Sequence, residues 1–284
     1  MRSLATTLAI LSVLLIGYGY APDIHRSADA IALLRPLFGI TCLLGLFATR
    51  VWMRGTFGLA ALVTLASIAV LALPQPPGPS LRLYSKNLYH SNQQLEAVVA
   101  DIREAGTDVI MLQEMTEINA RIIKLLAEDF PHQHVCHFSG RLRIAVVSRI
   151  PFAGDGLCTR NRALAAVQVM VNTQKVWMVS VHIPWPWPTD TAETEAEVEA
   201  FLAALNGPIV VAGDFNSFPR TPRVQRIARI TNTQLAGPMR PTYHLRGVPL
   251  PIDHVLSPGG GSVSLRPKLG SNHRGLVANI SFEP

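Results

Sequence analysis

The sequence predicts an α+β fold, a two-layered β-sandwich flanked by helices and preceded by three transmembrane helices. Three observations predict it. Three apolar runs dominate the first 73 residues. From Leu81 onward the composition returns to that of a soluble domain. There, strands and helices alternate but leave adjacent strand pairs, a pattern that suits two packed sheets with helices outside rather than one parallel sheet.

The 284 residues are 15% charged, against about 25% in ordinary soluble domains. The deficit is local: residues 1–73 carry only Arg2, Asp23, Arg26, Asp29, Arg35, Arg50 and Arg54. The chain therefore divides into a membrane domain (1–73), a Pro-rich linker (74–80) and a second domain (81–284). The net charge of +6 splits evenly, +3 on either side of residue 80. A mildly basic domain suits a polyanionic substrate without demanding one. Cys42, Cys136 and Cys158 have no metal-ligand spacing. Cys136 and Cys158 could pair in an oxidising compartment, but two buried free thiols is the favoured reading.

The apolar runs cover residues 4–20, 31–48 and 57–73, near the lower limit of the ~17–25 residues that cross a bilayer. The first could be a signal peptide, but Gly19-Tyr20-Ala21 is a poor cleavage site and two more runs follow. Arg35 and Pro36 fall in the first turns of the second run, where Arg can snorkel and Pro costs little. Arg2 at the amino end, and Arg50 and Arg54 between runs two and three, place those segments in the cytoplasm. The expectation is a multi-pass protein of the inner (cytoplasmic) membrane whose second domain lies on the outer, periplasmic side. Pro74-Gln75-Pro76-Pro77-Gly78-Pro79 reads as a stiff spacer.

In the second domain, residues 81–85 alternate with period two and end at Lys86-Asn87. Leu95–Ala105 has helical spacing and stops at Gly106. A buried strand, 109–112, ends in Gln113-Glu114, and 118–126 is helical. Strands follow at 144–148, 163–171 and 176–181, then an amphipathic helix at 193–205 and a strand at 209–212. Asn87, Glu114, His182, Asp214 and Asn216 all lie at or just past strand ends, which gathers them on one rim of a rigid scaffold. Singly, each reads as a cap or a solvated turn.

Together they carry a resemblance. Gly213-Asp214-Phe215-Asn216 follows its strand as in the endonuclease/exonuclease/phosphatase (DNase I-like) superfamily. Asn87, Leu112-Gln113-Glu114, the segment 144–151, Ser180-Val181-His182, Ile252-Asp253-His254-Val255 and Ser271-Asn272-His273-Arg274 match further signatures in order. The likeness spans residues 81–284, and none covers the first 80.

The resemblance implies a metal-dependent phosphodiesterase. Glu114 is implied as the principal ligand of Mg²⁺, with Mn²⁺ as a substitute and Asn87 in support; a hard cation prefers such oxygens. Asp214 would orient or deprotonate the attacking water, with Asn216 fixing its geometry. His273, set by Asp253, would contact the scissile phosphate, and His182 would donate to a non-bridging oxygen. An orienting carboxylate defines the imidazole tautomer. Asn272 stands where the family usually has a metal-supporting aspartate, keeping an oxygen but losing a charge.

Arg220, Arg223, Arg226 and Arg229 repeat every third residue. Arg220 and Arg223 are candidates for gripping substrate phosphates, against a solvated basic face. Trp185 and Trp187, interleaved with prolines, could stack a base, lie in the lipid interface or pack on the domain. The substrate is then nucleic acid or a phospholipid head group. A catalytically silent, membrane-tethered module that binds a phosphorylated ligand is the alternative outside enzymes, favoured only by Asn272.

Overall fold

A computed structural model describes residues 2–20, 27–48, 50–78, 80–138, 142–161, 163–188 and 190–282. The N-terminal part is helical: α1 (Arg2–Tyr18), α2 (Ser27–Ala32), α3 (Arg35–Ala48) and α4 (Val51–Leu71). Ala9, Ile16, Phe38, Cys42, Phe57 and Ala61 form the core shared by α1, α3 and α4. The outward faces stay apolar, with Phe47 and Trp52 81% and 74% exposed.

The expectation of three membrane-crossing helices is not met. At ~1.5 Å per residue, a ~30 Å hydrocarbon layer takes about 20 residues. Among the described residues only α4, with 21, is long and apolar enough; α1 has 17 and α3 has 14. Pro36 breaks the second run, because its ring clashes with the carbonyl four residues back, at Ala32, where α2 ends. Arg35 does not snorkel. It is buried, with its guanidinium on the Gly19 and Arg220 carbonyls and over the Tyr20 ring.

The C-terminal domain runs β1 (Leu81–Asn87), α5 (Leu95–Ala105), β2 (Val109–Met115), α6 (Ile122–Leu126), β3 (His132–His137), β4 (Arg143–Ser148), β5 (Leu157–Cys158), β6 (Leu164–Val171), β7 (Gln174–His182), α7 (Ala192–Ala204), β8 (Ile209–Asp214), α8 (Pro222–Thr231), β9 (Gln234–Leu235), β10 (Tyr243–Leu245), β11 (Val248–Leu250), β12 (Asp253–Ser257), β13 (Gly261–Leu265) and β14 (Leu276–Ile280). Two six-stranded sheets, β13-β14-β1-β2-β4-β3 and β5-β6-β7-β8-β12-β9, stack face to face. Leu83, Met111 and Val146 meet Val167, Met178 and Val210 between them. On the outside, α5 and α6 pack on Tyr84, Ile110 and Leu112, and α7 and α8 on Val179, Val181 and Val211. Strands covered on both faces read as continuous apolar runs, which is why 109–112 and 209–212 show no alternation. This is the expected sandwich.

Two departures have identifiable causes, one local and one tertiary. Thr116 and Asn119 exchange side-chain hydrogen bonds with nearby backbone, so helix begins only at Ile122 rather than at 118. Cys136 and Cys158 are not free thiols: they form a disulfide joining the edge strands β3 and β5 of opposite sheets. Only the sheet order reveals that these two edges are neighbours.

Candidate active site

Each sheet contains one parallel crossover unit, β1-α5-β2 and β7-α7-β8. Parallel pairing sends both strands of a unit to the same end. Asn87 and Glu114 thus emerge together, as do His182 and Asp214, which are register partners. β12 runs antiparallel to β8 and sets Asp253 opposite Asp214.

Local backbone aims the side chains. β2 shifts register against β4 between Leu112 and Met115, and Glu114 takes φ 52°. An irregularity of this kind re-aims a side chain next to active sites, and the left-handed conformation costs of order 1–3 kcal/mol. Gly213 (φ 145°) lies where β8 crosses tightly against β7; a Cβ there would run into the Val181 carbonyl oxygen. Asn216 (φ 47°) donates its backbone N–H to Asp214 Oδ1 at 2.9 Å and its amide to the Ile183 carbonyl at 2.9 Å.

Asp214 is the hub. Its Oδ2 accepts from Asn87 Nδ2 at 3.1 Å and lies 3.8 Å from Nε2 of both His182 and His273. Burial, then the neighbouring Asp253 charge, push its carboxyl up to about 6, against the opposing pull of His273 and His182. Asn87 also donates to Glu114 Oε1 at 2.9 Å, and His182 Nε2 sits 3.5 Å from that oxygen. His273 Nδ1 is 2.8 Å from Asp253 Oδ2. Burial opposes its charge, but the Asp253 and Asp214 carboxylates prevail and push it up to about 9. Ser271 Oγ ties this loop to the Asn87 carbonyl at 2.8 Å and receives the His273 N–H at 3.0 Å.

Residues 84–273 match the model of the Endonuclease/Exonuclease/phosphatase family, two thirds of the chain. The chain belongs to this family. No curated protein matches it. Among solved structures, it resembles an endonuclease/exonuclease/phosphatase family protein from Leptotrichia buccalis, with TM-score 0.60 and 14% identity over 72% of this chain and 100% of that one. Beta toxin from Staphylococcus aureus, crystallised with bound magnesium ions, aligns with TM-score 0.53 and 12% identity over 70% and 99%. Sphingomyelinase C from Streptomyces griseocarneus gives 0.52 and 16% over 72% and 100%. At these identities the likeness is one of fold.

Within this family member, the structure gathers Asn87, Glu114, His182, Asp214, Asn216, Asp253 and His273 and corrects other expectations. Asn87 Oδ1 accepts the Tyr89 N–H, and its amide nitrogen bridges the Glu114 and Asp214 carboxylates. Asn272 keeps Oδ1 buried and, among the described residues, without a hydrogen-bond partner. Arg223 does not reach substrate. It is wholly buried, paired with Glu195 and hydrogen-bonded to the Pro184 and Phe215 carbonyls. Arg220 is exposed at the seam with α3, its carbonyl held by Arg35. Arg226 is engaged by Glu195 and Glu199.

Two site neighbours escape sequence reasoning. Tyr243 sets its ring 4.8 Å from that of His273, and no motif marks it. Lys86 is buried and donates to the Pro267 and His273 carbonyls; burial lowers its pKa to about 8. Its one signal is a lone charge at the end of an apolar strand.

Proposed function

We propose that the chain is a membrane-attached, divalent-metal-dependent phosphodiesterase acting on phospholipid head groups at the outer face of the cytoplasmic membrane. The observation that carries the hydrolase reading is Asp214 Oδ2, buried between the imidazoles of His182 and His273. A carboxylate raised toward about 6 is a better proton acceptor near neutral pH than an ordinary one.

The residues fit a hard cation such as Mg²⁺, or Mn²⁺ in its place. Ligand atoms of Glu114, His182 and Asp214 lie within 4.8 Å of one another, and Asn272 Oδ1 is a buried acceptor lacking a donor among the described residues. Glu114 would hold the ion, with Asn272 supporting it through its oxygen. Bound there, it would neutralise charge on the phosphoryl oxygens. The chain's own groups do the rest. Asp214 takes a proton from water, whose oxygen bonds to phosphorus as the bond to the leaving oxygen breaks in line. His182 and the imidazolium of His273 donate to the non-bridging oxygens, and Asn216 keeps Asp214 in place.

Attachment is supported by the length of α4 and the apolar outer faces of the helices. Arg50 and Arg54 at the start of α4 favour that end in the cytoplasm. The Cys136–Cys158 disulfide favours an oxidising compartment for the other end. Lipid is favoured over nucleic acid by one contact chain. Leu33, in the turn between α2 and α3, packs in the cluster with Trp185 and Tyr243, and Tyr243 lies on His273. One apolar cluster thus links the turn between α2 and α3 to the ring that lies on a catalytic imidazole, and Trp187, two residues past Trp185, is 68% exposed. Amphipathic aromatic rings concentrate at membrane interfaces.

The test is hydrolysis by the full chain in liposomes, assayed on phospholipids, nucleic acids and inositol phosphates with and without Mg²⁺. Head-group release that depends on Mg²⁺ is expected. Preference for nucleic acid would overturn the lipid assignment, and no hydrolysis of any substrate would leave the silent module.

A further inference from the structure

The N-terminal helices are bonded to the segments beside the active site at Arg220, Arg223 and Met239. Asp29, on α2, is buried, and its Oδ1 accepts the backbone N–H of Arg223 at 2.8 Å across 194 residues. Arg223 follows the helix-opening Pro222 of α8, and its guanidinium runs back under the active site. Nη1 donates to the Pro184 carbonyl at 2.7 Å and to the Phe215 carbonyl at 3.1 Å. Nη2 donates to Thr191 Oγ1 at 3.1 Å and to Glu195. Pro184 lies two residues past His182, and Phe215 lies between Asp214 and Asn216. Arg226, one turn further on α8, lies 4.0 Å from Asp29 Oδ2. The Arg35 bond to the Arg220 carbonyl and the Met239 N–H bond to the Leu71 carbonyl close the same seam.

We propose that Asp29 and Arg223 are positioning residues through which the N-terminal helices hold the His182 and Asp214 loops in their reactive arrangement. This rests on the catalytic roles given above. Physically, the planar guanidinium reaches two carbonyls, a hydroxyl and a carboxylate at once, a fan of donors that an ammonium on a flexible stem cannot reproduce. The first residues past β7 and β8 are still tied by backbone bonds, Ile183 N–H to the Asp214 carbonyl and Phe215 N–H to the Ile252 carbonyl. The guanidinium adds a second tie by joining the Pro184 and Phe215 carbonyls. The helical part is then a component of the site as well as an anchor for it. A misplacement of about 1 Å at reacting groups can cost ~10²-fold in rate.

The experiment compares the full-length chain with Asp29→Ala, Asp29→Asn and Arg223→Lys, in two readouts. Steady-state kinetics on the phospholipid substrate should show kcat lowered ~10-fold or more in Asp29→Ala and Arg223→Lys, with KM within about twofold. Asp29→Asn keeps an oxygen for the Arg223 N–H and should restore kcat to within about twofold. Amide hydrogen exchange needs no activity: the amides of Ile183, Phe215 and Asn216 should exchange faster in the two impaired variants, while those of β1 and β2 stay at parent rates. If the parent chain hydrolyses nothing, the exchange data alone decide the relay, and the functional reading fails separately. If Asp29→Ala does not fold, Arg223→Lys, which keeps the backbone bond to Asp29, decides. Parent-like kcat and exchange in Asp29→Ala or in Arg223→Lys, or uniformly faster exchange throughout the domain, overturns the proposal.

Discussion

Asp253 Oδ2 lies 2.8 Å from His273 Nδ1, with both side chains buried. The bond fixes the imidazole so that Nε2 is the edge turned toward Asp214. A histidine held this way has one defined tautomer and a stabilised charged form. If Asp253 acts only through that ring, Asp253→Ala and His273→Ala should each be severely impaired and the double variant hardly worse, because residues acting as a unit are strongly non-additive. Initial rates of the four proteins check this. Losses that multiply cleanly would mean that the two act independently.

Asp214→Asn keeps an oxygen for the Asn216 N–H but removes the proton acceptor between the two imidazoles. Turnover should fall by at least ~10²-fold, the scale of losing a general base, with the thermal midpoint close to the parent. Parent-like turnover at saturating Mg²⁺ would take Asp214 out of the mechanism.

His254 makes stability depend on pH. It is buried, its Nε2 is 2.7 Å from the Ser217 carbonyl, and burial lowers its pKa from 6.5 to about 4, a fall that the Ser217 bond only partly offsets. The folded value lies below the unfolded one, so the unfolded chain binds the extra proton in between. Stability is therefore full above pH 6.5 and declines as pH falls through 4, by about 3 kcal/mol at ~1.4 kcal/mol per unit. His254→Gln retains a donor for Ser217 but does not titrate. Denaturant melts of the metal-free proteins between pH 7 and 4 should show a shallower decline in the variant; parallel declines would mean that His254 is not held neutral.

Asn272→Asp restores a carboxylate where Asn272 Oδ1 now lies buried without a partner among the described residues. At an effective dielectric of ~20, a charge pair at ~4 Å is worth about 4 kcal/mol before desolvation. A net gain of ~1–2 kcal/mol lowers the half-saturating Mg²⁺ concentration roughly tenfold, with little change in maximal rate. Metal titrations of both proteins on one substrate decide it: superimposed curves would place Asn272 away from the ion, and activity only in the variant would favour a silent native site.

Membrane orientation is open to a direct measurement. A reporter active only in the periplasm, fused to the C-terminus, should be on if Arg50 and Arg54 hold the start of α4 in the cytoplasm. Function of a cytoplasmic reporter alone would reverse the orientation and leave the disulfide without an oxidising compartment.

The sequence by itself determined the sandwich, the strand ends that bear the site and the identity of its main residues. Apolar runs such as 109–112 and 209–212 are long enough to be read as buried strands, and Glu114 and Asp214 interrupt them with charge. The short strands β9 to β11 and the hairpin bearing Tyr243 lack any such run and were not legible. Tertiary structure alone decided which polar side chains face the cavity. Arg223 and Asp214 are alike in sequence as charged residues near one motif, yet one is spent on the Pro184 and Phe215 carbonyls and the other faces two imidazoles. Asn87 shows its nitrogen rather than its oxygen because the Tyr89 N–H claims the oxygen. Cys136 finds Cys158 because two sheet edges meet, and Asp29 finds Arg223 across 194 residues. Local periodicity records which face of a strand is apolar; it holds no record of distance between segments far apart in the chain, and every one of these outcomes is such a distance.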